Sequence, residues 1–121
     1  MAFMLLVIER PEEKHAVPQA EGQRRYDRMM SFAEGLKARG VLVAGESLGS
    51  DATGTRIRKR KGQRTVFDGP FAEAKEILGG FFLLDIDSRE EAMKIAEDCP
   101  AAEWSTIELR QVGRCWVEGA R

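Results

Sequence analysis

The chain has 121 residues, 43% of them hydrophobic and 32% charged, which is enough to bury one core and too few for two. Lys and Arg number 19 against 20 Asp and Glu, a formal net charge of −1, so no global field steers the molecule to nucleic acid or to an anionic membrane and any electrostatic function has to be local. No apolar run approaches the roughly 18 residues of a membrane span, and the opening MAFMLLVIERPEEKH lacks a basic leader and reaches charge at Glu9; a cytoplasmic chain, one domain over residues 1–121 with no membrane contact, is therefore expected.

FMLLVIE, Phe3 to Glu9, is apolar on both alternating sets, Phe3, Leu5, Val7 and Met4, Leu6, Ile8, which predicts a strand buried on both faces. Residues 10–20, with Pro11 and Pro18 among charges, read as a surface connection. From about Glu21 to Arg39, the set Tyr26, Met29, Met30, Ala33, Leu36 falls at helical spacing and draws one apolar stripe, with Gly40 as its stop. Val41 to Leu48 is a second strand that turns polar toward its end, and GSDATG after it is loop chemistry.

TRIRKRKGQRTVF predicts an inserted β-hairpin over 54–67, turning at Lys61-Gly62-Gln63. Its first arm puts Arg56, Arg58 and Arg60 on one face, so it belongs at an edge and outside the core. PFAEAKEIL reads as a short helix, with Pro70 suited to the first helical position and Gly79-Gly80 ending it. Phe81 to Asp87 is the second strand apolar on both sets, with Phe81 and Phe82 divided between the two faces. Ser88 and Glu91 stand in capping-box spacing at the head of a helix whose stripe is Ala92, Ile95, Ala96, Cys99 and whose stop is Pro100. STIELRQV alternates Ile107 and Leu109 against Glu108 and Arg110, the pattern of an edge strand with one solvated face.

With the hairpin and short helix set aside as an insertion, the order is β-α-β-β-α-β, the ferredoxin-like α+β motif. In its 4-1-3-2 sheet the first and third strands are central, and these are the two with apolar residues on both sets. Two helices cover only one face of such a sheet. The other face would expose an apolar patch larger than soluble monomers carry, which predicts a homodimer packed sheet against sheet.

Cys99 and Cys115 have neither CxxC nor Cys/His spacing, and no disulfide is expected in a reducing compartment. No Gly-rich phosphate loop, GxSxG or metal-ligand cluster occurs, so no cofactor and no metal is indicated. Trp104 and Trp116 read as packing residues.

GVLVAGESL, FDGPFAEAKEILGGFFLLDID and CPAA followed by IELRQV resemble the DGPF-domain branch of the YCII-related proteins, from about Phe3 to Val112. The resemblance implies a ferredoxin-like fold assembled as a dimeric α/β barrel and no agreed reaction. A His/Asp pair is suspected of catalysis in the shorter relatives. The one histidine here, His15, has no matching motif around it, so that role is not carried over and His15 reads as a surface residue.

Within the matching blocks, Glu46 near the end of the second strand and Asp68 at the end of the hairpin are the candidate general base and acid, with Lys75 holding one of them ionised or binding an anionic substrate. Glu73 and Phe71 are the candidate ligand-binding positions beside them. Asp68-Gly69-Pro70 is equally good turn and helix-cap chemistry, and both readings of Asp68 stand. A carboxylate inside an otherwise apolar strand is costly unless paired or used, which favours a functional role for Glu46. The expected function is a cofactor-independent small-molecule enzyme working by acid/base chemistry. One alternative is a non-catalytic ligand-binding or regulatory module, which the resemblance connects with sigma-factor-dependent transcription. The other is nucleic-acid binding through the arginine arm, against which stand the balanced charge and the absence of aromatic residues interleaved with it.

Overall fold

The computed structural model describes residues 2–71 and 73–115; Trp116 lies outside them. In chain order the elements are β1 (Phe3–Glu9), α1 (Pro11–His15), α2 (Gln19–Ala38), β2 (Leu42–Ser47), β3 (Thr55–Arg60), β4 (Gln63–Asp68), β5 (Ile77–Leu84), α3 (Arg89–Asp98) and β6 (Thr106–Gln111), with 3-10 turns at Asp51–Thr53 and Pro100–Glu103. The main sheet is antiparallel in the order β2-β5-β1-β6, the ferredoxin-like arrangement, and β3 and β4 form a separate two-stranded sheet. No helix among the described residues is long and apolar enough to cross a membrane.

Period-two alternation sorts the central strands onto two faces. Phe3, Leu5 and Val7 of β1 are buried, as are Phe82 and Leu84, which sit opposite Leu5 and Phe3 on β5. These side chains join Leu36 of α2 and Ile95 of α3 in the core, and the ring of Phe32 meets Phe82 edge-on with centroids 5.4 Å apart. The other face carries Met4, Leu6 and Ile8 paired with Leu83, Phe81 and Leu78, all less than fully buried, and no helix among the described residues crosses it. A row runs across that face from Glu46 through Phe81 and Leu6 to Glu108, so its apolar strip is bounded by a carboxylate on each edge strand.

Helix ends follow the residue types at them. Gly40 takes φ +72 just past α2, a left-handed position that costs glycine nothing, and Ser88 Oγ accepts the Glu91 N–H to cap α3. Along α2 the apolar stripe divides: Leu36 is buried, while Tyr26 and Met30, which line an open cleft, remain 50% and 44% exposed. Residues 10–20 are not all connection, since Pro11 opens the short helix α1.

The hairpin turns at Lys61 (φ 51) and Gly62 (φ 78), two left-handed residues that match the twist of its arms. Every residue of β3 and β4 is exposed. Two of its arginines nevertheless have aromatic neighbours, Arg56 lying 4.1 Å over the Phe71 ring and Arg58 5.8 Å from that of Phe67.

The short helix expected over PFAEAKEIL is corrected by the structure: no helix occurs between β4 and β5 among the described residues, and Gly79-Gly80 lie inside β5. Two tertiary interactions outcompete the local helical preference. Asp51 Oδ2 accepts the Phe71 N–H at 3.0 Å and Gly54 O accepts the Gly69 N–H at 2.8 Å, so DGPF is docked as a loop on the 3-10 turn at Asp51. Downstream, Ile77 and Leu78 pair with Glu9 and Ile8 of β1. Asp68 consequently caps no helix; its Oδ1 accepts the Thr55 hydroxyl across the hairpin at 3.0 Å.

Two outcomes follow from this packing. Leu84 is fully buried, and Leu84→Ala should lower the unfolding free energy by about 3 kcal/mol, read as an earlier urea midpoint at unchanged slope. A side chain at Gly69 would run into the Asp51 carbonyl oxygen, a backbone atom that cannot step aside. Gly69→Ala should therefore release the DGPF loop and speed hydrogen exchange at the Phe71 amide; wild-type protection there would contradict the docking.

Candidate functional site

The uncovered part of the α2 stripe roofs a cleft of about 660 Å³ between α2 and the helix-side face of the sheet. That size suits a small organic ligand. Glycines line its floor, Gly45 on β2 and Gly79 and Gly80 on β5. A Cβ at Gly45 would come within 2.9 Å of the Phe82 ring, so glycine there lets that ring lie across β2. Met29, Met30, Tyr26 and Trp104 supply apolar wall. Arg25 and Arg28 lie against the Trp104 ring, 5.0 and 5.3 Å from its centroid.

Arg10, Glu13 and Arg25 also line the cleft, and of its two ion pairs Arg10–Glu13 is exposed while Glu9–Lys14 is half-buried. Glu9 ends the inward row Phe3, Leu5, Val7 and so points the same way as the core residues before it. Its Oε1 accepts from Lys14 Nζ of α1 at 3.1 Å, with the two side chains only 17% and 33% exposed. The pairing of β1 with β5 shifts between Val7 and Ile8, leaving Gly79 as the extra residue of a bulge, and the Glu9 carboxylate occupies the space that a Gly79 side chain would need. Both ions line the cleft. A half-buried carboxylate and ammonium can bind a polar substituent of a ligand or exchange a proton with it.

Of the residues singled out in the sequence, the cleft takes in Glu46 alone, at the β2 edge, where the residue is exposed. Asp68, Glu73, Phe71 and Lys75 do not line it: Asp68, Glu73 and Lys75 are exposed on the hairpin end and the loop after it, and Phe71 is half-buried beneath Arg56. The expected meeting of Glu46, Asp68 and Lys75 does not occur in this cleft, which neither Asp68 nor Lys75 lines.

His15 also departs from a bare surface position. Although its side chain is 56% exposed, Nε2 lies 3.5 Å from Asp51 Oδ1, and Asp51 is 5% exposed with that oxygen lacking a hydrogen-bond partner among the described residues. Consecutive residues of α1 therefore reach the cleft carboxylate and the carboxylate that holds DGPF. Cys99 is buried 3.9 Å from the Met29 sulfur, and burial pushes its thiol pKa up, so it is packed and unreactive; Cys115 is exposed and both are free.

Sequence reasoning missed Glu9, Lys14 and Asp51. For Glu9 a signal existed: it shares the parity of Phe3, Leu5 and Val7, the row that faces the core. For Lys14 and Asp51 there was none, since one depends on α1 forming and the other on DGPF folding back onto it.

Comparisons with known proteins agree with the fold. A 50-residue stretch is 48% identical to the uncharacterized protein R00369 of Rhizobium meliloti (strain 1021), a match that spans 41% of this chain and 40% of that one. Among solved structures, 5-chloro-2-hydroxyhydroquinone dehydrochlorinase (TftG) from Burkholderia phenoliruptrix AC1100, in complex with 2,5-dihydroxybenzoquinone, is similar over 93% of this chain and 94% of its own, with a TM-score of 0.55 and 16% sequence identity. That neighbour has the dimeric α/β barrel fold, and at this identity the likeness concerns the fold. The YCII-related domain family matches residues 1–115, nearly the whole chain and every element of the sheet, and the chain belongs to that family.

Proposed function

We propose that the chain is a cofactor-independent enzyme that binds a small, largely apolar molecule in the cleft under α2 and acts on it by acid/base chemistry. The observation that carries this reading is the charged pair Glu9–Lys14, held half-buried in a cleft of about 660 Å³ whose walls include Met29, Met30, Tyr26 and Trp104. An ion pair withdrawn from water in this way adds little to stability compared with apolar side chains of the same size, so its position beside a ligand-sized space favours use over support. The dehydrochlorinase, an enzyme of the same fold bound to 2,5-dihydroxybenzoquinone, is consistent with a small-molecule substrate. Glu46 lines the cleft edge, but its side chain shares the opposite sheet face with Phe81 and Leu6, so Glu9 is the carboxylate this proposal uses. A ligand-binding module without turnover is the alternative, and it requires the same cleft.

Assembly as a homodimer through the open sheet face forms part of the proposal. Met4, Leu6, Phe81 and Leu83 make a strip that water covers in one copy and that a second copy, related by a twofold axis, would bury against its own.

The cleft is tested by thermal-shift screening of a metabolite collection against the wild type and against Ala33→Trp and Met30→Trp, each of which adds a ring to the cleft wall. Ligands should raise the wild-type melting temperature and lose the effect in both variants; shifts that persist in them place binding elsewhere. Turnover of a hit supports the enzyme, and tight binding with no turnover supports the module. For assembly, light scattering should give twice the chain mass for the wild type and a monomer for Leu6→Glu, and a wild-type monomer at micromolar concentration removes the dimer.

A further inference from the structure

The hairpin β3–β4 contributes to neither the core nor the cleft. Residues 55–68 hold six Lys and Arg and one Asp, a net +5 in a chain of net −1, so the remaining residues carry −6. The balanced composition thus conceals a segregated charge, and its basic end is a ribbon in which every residue from Thr55 to Asp68 is exposed. Cross-strand register puts Arg56, Arg58 and Arg60 on one face with Phe67, Lys59 and Arg64 on the other, and Lys61 at the turn. None of these six cations meets a carboxylate among the described residues, whereas Arg10, Lys14, Arg24, Arg25 and Arg28 each do. The ribbon's own carboxylate, Asp68, is engaged by the Thr55 hydroxyl. Folding also supplies the aromatic neighbours that the sequence of the arm lacks, Phe71 under Arg56 at 4.1 Å and Phe67 beside Arg58 at 5.8 Å, which seat a guanidinium without neutralising it. Keeping a free strand edge from pairing needs charge alone, and gives no reason for arginines seated on rings and left without counter-ions.

We propose that β3–β4 is a DNA-binding ribbon that enters the major groove of a duplex. That groove, about 12 Å wide and about 8.5 Å deep, admits a two-stranded antiparallel ribbon. The strands of the hairpin stand about 4.8 Å apart and run about 20 Å from base to turn, long enough for the turn to reach base edges. A groove has a row of phosphates on each wall, and the ribbon carries cations on both faces to meet them; an extended acidic peptide would call for one face only. Arg56, Arg58 and Arg60 follow the two-residue repeat of a strand, about 6.7 Å, close to the interval between neighbouring phosphates of one DNA strand. The guanidinium fork suits phosphate oxygens. Phosphates repel the −6 carried by the rest of the chain, so the field turns the hairpin end toward the duplex. These are phosphate contacts, which give affinity that depends on salt and little on sequence.

Fluorescence anisotropy tests this with the full chain and a labelled DNA duplex of mixed sequence, about 20 base pairs long. Three phosphates held by Arg56, Arg58 and Arg60 should make the affinity fall about fortyfold between about 50 and about 200 mM salt, and Arg58→Ala should reduce that fall to about twelvefold. Replacing all three arginines by alanine should abolish binding at about 50 mM salt. Lys37→Ala with Arg39→Ala, which removes two exposed cations at the end of α2, should leave it unchanged. The three arginines are exposed, so their triple variant should melt at the wild-type temperature; Arg58→Ala also spares the stack of Arg56 on Phe71 and reads the contact in a hairpin that keeps it. No binding of the duplex at about 50 mM salt, or equal binding by the triple variant, overturns the proposal and leaves the cleft reading in place. Equal or tighter binding of poly-L-glutamate overturns it in favour of an acidic protein surface, and tighter binding of the single strand than of the duplex overturns the groove.

Discussion

Two helices lie on one face of a four-stranded sheet, and the arrangement does not close over that face evenly. α3 and the buried end of α2 cover the half of the sheet where Leu5, Phe82 and Leu84 stand, and those side chains fill the gap. Toward the other end of β1 and β5 the filling stops. Gly79, Gly80 and Gly45 line the floor, Tyr26 and Met30 of α2 line the cleft from above, and the space between remains open. The cleft therefore continues the core-side face of the sheet, and Glu9 is the position at which the inward row of β1 passes from one to the other.

Much of this was legible in the residues. Two-sided apolar strands at Phe3–Glu9 and Phe81–Leu84 could only be central, which fixed the sheet order, and the i, i+3, i+4 stripe from Tyr26 to Leu36 located α2. The same patterns hid the site. A charge closing an apolar run reads as the end of a strand, so Glu9 was taken as the boundary although its parity placed it on the buried side. Lys14 lay in a segment whose two prolines suggested only a connection. The failed helix has a different origin: Pro-Phe-Ala-Glu-Ala-Lys suits a helix start locally, and it gives way to an acceptor at Asp51 and to strand pairing at Ile77 that no short window of sequence contains.

DGPF also gains a clearer role from its surroundings. It bends the chain back from an exposed hairpin onto Asp51, with the Phe71 amide on the carboxylate and the Phe71 ring under Arg56. The chain then enters β5 at Ile77, opposite Glu9. Asp68, exposed at the end of the hairpin, accepts the Thr55 hydroxyl.

Glycine at positions 45, 79 and 80 makes room for the Phe82 ring, the Glu9 carboxylate and the Glu46 backbone carbonyl, which changes how the molecule responds to mutation. Truncating side chains, the usual way of finding what matters, can find nothing at a residue that has none to lose. Here the sensitive positions are those where adding one methyl group is felt, against the Phe82 ring at Gly45 and the Glu46 carbonyl at Gly80.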